Sequence, residues 1–356
     1  MLYNEAMKFV TLIIITILFV LLAMALILFQ INKIDSTKHS DQDLKTNIKQ
    51  KTPKIEFSAW MPWWDTEAGM QIFEEHSSEL VEISPYWFVL SSNQQFLETT
   101  TVEKQAFYDK TKTLNTDIKI LPMISTELYG ESFNGFVKDN TKLTLFTKTL
   151  VESLLNYRVQ GLDLDFENLD SSNKEAFSKL VILLSEELHK NNLELSVTIS
   201  GRTLAEDKAH AYDLALIGKH ADQVRLMIYD KHGEFTEPGA ISPNTWFEEV
   251  LEYKLSQLPK EKVVVGLPTY GYFWGYDKSF KSLTFNQVSN YSDVRNFNVI
   301  RDGDSGELVY SDSNEIGWVS DSQSIKRKIE ISKRWGLYRF IFWSINGMDP
   351  EIFSAY

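Results

Sequence analysis

The chain has 356 residues, with 36 Lys and Arg against 49 Asp and Glu, for a formal charge of −13. A nucleic-acid partner is therefore not expected, because a polyanion would be repelled. With no cysteine, disulfides and thiol chemistry are excluded; the six histidines lack the spacing of a zinc site, so no metal or other cofactor is expected.

In chain order, residues 9–31 form an uncharged apolar run between Lys8 and Lys33, matching the ~20 residues that cross a bilayer. The apolar core of a signal peptide is usually shorter, ~7–15 residues, so an uncleaved transmembrane anchor in the lipid bilayer is expected. Basic and acidic residues nearly balance on each side and leave its orientation weakly signalled. Residues 32–53 are polar, too poor in large apolar side chains to fold alone, and read as a linker. Residues 54–356 suffice for one large domain.

Short apolar segments then alternate with helical or polar stretches, the pattern of a parallel α/β sheet. Strands are expected at 55–60, 80–90, 118–125, 159–166, 193–199, 223–229, 263–269 and 339–343. The first runs into Trp60, Trp63 and Trp64, placed on a loop above the strand, where aromatic faces could stack on a ligand or simply pack. Helical spacing marks residues 143–157 and 173–190, a short helix begins near Ala211-Tyr212-Asp213, and a last helix covers 322–335. About 70 residues separate the seventh and eighth strands, far beyond an ordinary loop of ~2–6 residues. Residues 284–287 can open a helix there, and 297–301, 307–311 and 316–319 read as short strands around Asp302-Gly303-Asp304-Ser305-Gly306. This predicts a small α+β insertion at about 273–320.

The fourth strand carries the chemistry. In Gly161-Leu162-Asp163-Leu164-Asp165-Phe166-Glu167 the apolar residues share one face and the three acids the other. Carboxylates at alternate positions stand ~6.6 Å apart along a strand. An antiparallel strand with one wet face gives the same alternation. The run of parallel strands favours a closed barrel, in which the acids point into the lumen and need hydrogen bonds, protons or a substrate. Glu167 would lie nearest the C-terminal mouth, where it could hold a proton; Asp165 could bond its neighbours, and Asp163 could share a proton with Asp165 from below.

This segment resembles the core of the Asp-x-x-Asp-x-Asp-x-Glu signature of glycoside hydrolase family 18, the chitinases and their relatives, except that Gln160 stands in the place of the first Asp. Leu226-Met227-Ile228-Tyr229-Asp230 is similar to the family's Met-x-Tyr-Asp at the sixth strand, and Trp343 ends the eighth where the family has a Trp. Ile83-Ser84-Pro85-Tyr86-Trp87 and Gly266-Leu267-Pro268-Thr269-Tyr270-Gly271-Tyr272 look like the second and seventh strands of bacterial members. The resemblance implies a (β/α)8 TIM barrel whose insertion is the chitinase type, and a glycosidase acting on chitin oligomers or peptidoglycan, glycans with β-linked N-acetylglucosamine. It implies substrate-assisted retention, with Glu167 as acid and base, Asp165 holding the acetamido nitrogen and Tyr229 donating to the acetamido oxygen. Met227, Asp230, Trp343, Trp60 and Tyr86 are expected to contact the glycan. Because such glycans mostly lie outside the cell, the implied placement is a single-pass protein of the cell membrane with its barrel extracytoplasmic. The rival readings are a glycan-binding lectin on the same scaffold, whose members usually lack the acid at the Glu167 position, and a cation-dependent enzyme using the three acids as ligands.

Overall fold

Strand β1 (Glu56–Met61) pairs in parallel with two neighbours, and that double pairing closes the sheet into a barrel. A computed structural model describes residues 53–99, 103–207 and 211–355. The further strands are β2 (Leu80–Leu90), β3 (Phe96–Glu98), β4 (Lys119–Ile120), β5 (Met123–Thr126), β6 (Gly161–Asp165), β7 (Glu194–Ser200) and β8 (Gln223–Met227). There follow β9 (Val263–Pro268), β10 (Tyr270–Gly275), β11 (Phe280–Thr284), β12 (Asn298–Arg301), β13 (Leu308–Ser311), β14 (Glu315–Val319) and β15 (Arg339–Trp343). The barrel runs β1-β2-β5-β6-β7-β8-β9-β15 and returns to β1, with β4 beside β2 and β3 as an antiparallel edge strand. It is the eight-stranded parallel architecture expected of the sequence.

The third barrel strand differs from the expectation of one segment at 118–125. Leu121 and Pro122 divide it into β4 and β5. Pro122 has no N–H to give to the ladder, although its carbonyl still accepts from Asp163 N at 2.9 Å.

Leu162 and Leu164 on β6 and Phe166 just after it are fully buried, in one core cluster with Leu180 and Leu184 of the helix Lys174–Lys190. Asp163 and Asp165, one residue out of phase, belong to the lumen face. Inside the barrel a smaller apolar cluster of Trp60, Met123, Val264 and Ile341 fills part of the space. Gly161 is required where β6 meets β7, because a Cβ there would sit 2.4 Å from the Glu194 carbonyl oxygen.

Between β9 and β15 the chain builds a second, antiparallel sheet in the order β11-β10-β14-β13-β12. Its core is Phe273, Val288 and Val319, covered by the helix Phe285–Asp293, whose first turn is capped by Thr284 and Gln287. Only Thr269 separates β9 from β10, so the inserted sheet starts at the mouth of the barrel.

Among the described residues no helix is long and apolar enough to cross a membrane. The span expected at 9–31, and all but the last residue of the linker expected at 32–53, lie outside the described residues.

Candidate active site

Asp163 is the deepest of the three acids and is fully buried. Its Oδ2 accepts from Trp60 Nε1 at 2.8 Å and from Arg225 NH1 at 2.6 Å, and its Oδ1 accepts from Thr198 Oγ1 at 2.8 Å. Arg225, on β8 and also fully buried, donates to Ser84 Oγ at 2.6 Å and through NH2 to Glu82 of β2. Gln223 Nε2 completes the set with 2.8 Å to the other oxygen of Glu82. Three donors, one of them the guanidinium of Arg225, fix both oxygens of Asp163. Its charge still acts on Asp165 above it.

Trp60 departs from the expectation of a stacking ring on a loop. It lies within β1, is 1 % exposed, and offers its N–H to Asp163 instead of a face to a ligand. The ring above it is Trp343, half-buried at the end of β15, edge-on to Trp60 at 5.9 Å and to Trp64 at 6.3 Å. Trp64 is 56 % exposed and meets Tyr86, whose hydroxyl bonds Ser125 Oγ. Trp343, Trp64 and Tyr86 thus form one connected aromatic group.

Asp165 stands one step above Asp163. Burial first, then the negative charges of Glu167 and Asp163, push its carboxyl well above the ordinary range, with Arg225 pulling the other way. Its Oδ1 is buried and has no hydrogen-bond partner among the described residues. A carboxyl whose proton affinity rises on folding contributes stability that is fully present below its unfolded pKa of about 3.9 and is lost as pH rises through the folded value. Asp165→Asn is therefore expected to raise the melting temperature at neutral pH, with the gain shrinking as pH falls toward ~4. Thermal denaturation of both proteins across that range checks it; a gain independent of pH would contradict the argument.

Glu167 lies just past the end of β6 and is reached by solvent, yet the walls of its cleft still strip much of its water shell. That desolvation and the neighbouring Asp230 raise its carboxyl, while Arg202 lowers it. The cleft, about 140 Å³, is also lined by Met227, Tyr229, Asp230 and Arg202. Larger hollows, about 810 and 720 Å³, are lined by residues of outer helices and loops and contain none of these acids.

Tyr229 is buried, and burial followed by the charges of Asp230, Asp165 and Glu167 raises its hydroxyl well above the usual value, so it remains an O–H donor. Asp230 accepts from Tyr270 and, at 2.9 Å, from Tyr272, both on β10. The inserted sheet therefore reaches the site through two phenols that fix the carboxylate facing Glu167. Gln160, at the opposite end of β6, accepts from Ile120 N at 2.9 Å and donates to the Arg158 carbonyl at 3.0 Å. It ties strand ends together and takes no part in the cleft.

Among the described residues no group of three or more His, Asp and Glu side chains stands ready for a metal ion. The occupied oxygens of Asp163 give a physical reason why Asp163, Asp165 and Glu167 do not form one: a cation there would have to displace Arg225.

Of the expected site residues, the structure brings Glu167, Met227, Tyr229 and Asp230 to one cleft, with Asp165 beneath, where the charge of Glu167 acts on it. Arg225, Glu82, Arg202, Tyr270 and Tyr272 join them without having been marked as site residues by any sequence spacing.

A parallel barrel with acids of raised proton affinity at the C-terminal ends of its strands is the architecture of a glycosidase site. Residues 60–349 match the model of the glycosyl hydrolases family 18. The chain belongs to that family and is a glycosidase. It is 24 % identical over 282 residues to a glycosylase of Bacillus subtilis, YvbX, covering 75 % of this chain and 81 % of that one. It is also 24 % identical over 306 residues to the cortical fragment-lytic enzyme of the same organism, covering 80 % and 70 %. Among solved structures, a chitinase of Chromobacterium violaceum superposes with a TM-score of 0.75 at 18 % identity, covering 85 % of this chain and 97 % of its own. The spore cortex-lytic enzyme SleL of Bacillus megaterium gives the same TM-score and identity, with coverage of 86 % and 74 %.

Proposed function

We propose that the protein hydrolyses β-linked N-acetylglucosamine glycans, chitin oligomers or peptidoglycan, by retaining, substrate-assisted catalysis. The observation that carries this reading is the buried, unpartnered Oδ1 of Asp165 beside Glu167, an acceptor left open for a substrate N–H. In the proposed reaction the acetamido oxygen attacks the anomeric carbon as the glycosidic C–O bond breaks, and Glu167 gives its proton to the departing oxygen. Asp165 accepts from the acetamido N–H and offsets the positive charge that develops there; Tyr229 donates to the acetamido oxygen. Water then attacks the anomeric carbon, Glu167 takes its proton, and the acetamido group is released. Trp343 floors the reacting sugar, and Tyr86, Met227 and Asp230 line its surroundings. Trp60 contributes indirectly, by holding Asp163.

Residues 9–31 would anchor the enzyme, residues 32–53 would tether it, and the barrel of 54–356 would work on the extracytoplasmic side of the cell membrane. The apolar run and the extracellular location of such glycans support this placement.

The test is to incubate the full-length protein with chitin oligomers and with purified peptidoglycan and to read products by mass spectrometry. New N-acetylglucosamine reducing ends are expected; intact glycans throughout would remove the proposal. A matched oligomer lacking the acetamido group should turn over at least roughly 100-fold more slowly, because the intramolecular nucleophile is gone. Equal rates would contradict substrate assistance.

A further inference from the structure

The cavity beside Glu167 holds two basic side chains, and only one of them is spoken for. Lys231 pairs with Glu206, which also accepts from Trp246 Nε1 at 2.9 Å and from Thr203 N at 2.9 Å. Burial opposes ionisation of Glu206, but these donors outweigh it and bring its carboxyl down to about 2. Asp207, the next acid along, is held by the buried Lys254 at 2.8 Å. The acids nearest to Arg202 in sequence are thus committed to lysines.

No hydrogen bond or ion pair joins Arg202 to another described residue, and its charge acts on Glu167 and Lys254. Its backbone is nevertheless well fixed. Gly201 N donates to the Met227 carbonyl at 2.8 Å, and a Cβ on Gly201 would sit 2.4 Å from that same oxygen, so the exit of β7 is clamped against β8. Arg202 is thus an exposed guanidinium on the wall of the cleft that contains Glu167.

Water can solvate it there. Here the position has a cost, because Arg202 lowers the proton affinity of Glu167, the group required to arrive at the bond with its proton. An anion bound at Arg202 cancels that effect. A guanidinium also presents a planar fork suited to a carboxylate.

We propose that Arg202 receives a carboxylate carried by the glycan, so that the preferred substrate is an acidic amino-sugar chain bearing a lactyl ether of the muramic-acid kind. This rests on the glycosidase reading above and narrows its substrate class. The bound carboxylate neutralises Arg202 and leaves Glu167 better able to keep its proton, so substrate recognition and arming of the acid are coupled.

The test uses one peptide-free oligosaccharide of alternating N-acetylglucosamine and N-acetylmuramic acid in two forms, with free lactyl carboxylates and with the same groups methyl-esterified. Wild type should show kcat/KM for the free acid roughly 10- to 100-fold above the ester, the range of a charge-assisted hydrogen bond. In Arg202→Gln the ratio should collapse toward one, and Arg202→Lys should restore part of it. Because each ratio compares two substrates on one protein, a general change in the acidity of Glu167 largely cancels. A second readout is the alkaline limb of kcat, which should lie at higher pH for the free acid than for the ester in wild type alone. Cleavage of both forms with a ratio unchanged by Arg202→Gln would overturn this inference while leaving the glycosidase reading intact. Failure of wild type to cleave either form or a chitin oligomer would overturn that reading and this inference with it.

Discussion

Replacing Glu167 by Gln is expected to lower kcat on natural glycans by roughly 10²- to 10⁴-fold, the contribution typical of a positioned general acid. The amide preserves shape and hydrogen-bonding reach but cannot release a proton to the glycosidic oxygen. Glu167 lies at the solvent-reached mouth of the barrel, so folding and glycan binding should be little changed. The loss should depend on the leaving group. An aryl glycoside whose departing phenolate needs no proton should suffer far less than a chitin oligomer, and comparing the two by steady-state kinetics separates loss of the acid from general damage. In wild type, activity should fall as pH rises through the raised titration of Glu167, at a pH above the ordinary carboxylate range. Because Asp165 and Glu167 interact, that limb reports the pair rather than one residue. Full turnover by Glu167→Gln would end its assignment as the acid.

The second large effect is on the fold. Arg225 lies between Glu82 and Asp163 in the barrel lumen, and all three are almost wholly buried. Arg225→Gln leaves two carboxylates in a region without water to solvate them, and removing one partner of such a set typically costs ~3–5 kcal/mol. Chemical denaturation should show that loss. Glu82→Gln in the same chain removes one of the stranded charges, so the double variant should recover part of it, more than independent effects would allow. Additive losses would mean that Arg225 is not the counter-ion of this pair. Activity should fall as well, since Asp163 would lose the donor that fixes it beneath Asp165.

These two expectations differ in how far the sequence foretells them. The alternation of Gly161 to Glu167 is a local signal, and the period of a strand alone puts Asp163, Asp165 and Glu167 on one face. The strands at Leu80–Leu90 and Arg339–Trp343 are equally plain, because each is a compact apolar segment with helical or polar stretches around it. Glu82 and Arg225 are different. Within LVEISP and QVRLM each looks like an ordinary polar position, and they meet only because closure of the barrel brings together residues 143 apart in sequence. Trp60 shows the same limit: a Trp near a strand end can stack on a ligand or donate a hydrogen bond, and only the position of Asp163 decides between them.

Tyr270 and Tyr272 were visible as part of a strand-like segment, but that this segment leaves the barrel and leans over Asp230 is a tertiary fact. The split of the third strand has a local cause in Pro122, which periodicity alone passes over. Arg202 carries no pattern at all. Its interest comes from what surrounding residues do with their charges, as Lys231 and Lys254 occupy the acids that would otherwise neutralise it.

Retention through the substrate's own acetamido group is visible in the anomer of the first product. Proton NMR of a chitin oligomer during the first minutes of hydrolysis should show the β-anomer at the new reducing end, with the α-anomer growing in later by mutarotation. The α-anomer appearing first would require water to attack directly from the opposite face, and would contradict the roles given to Asp165, Glu167 and Tyr229.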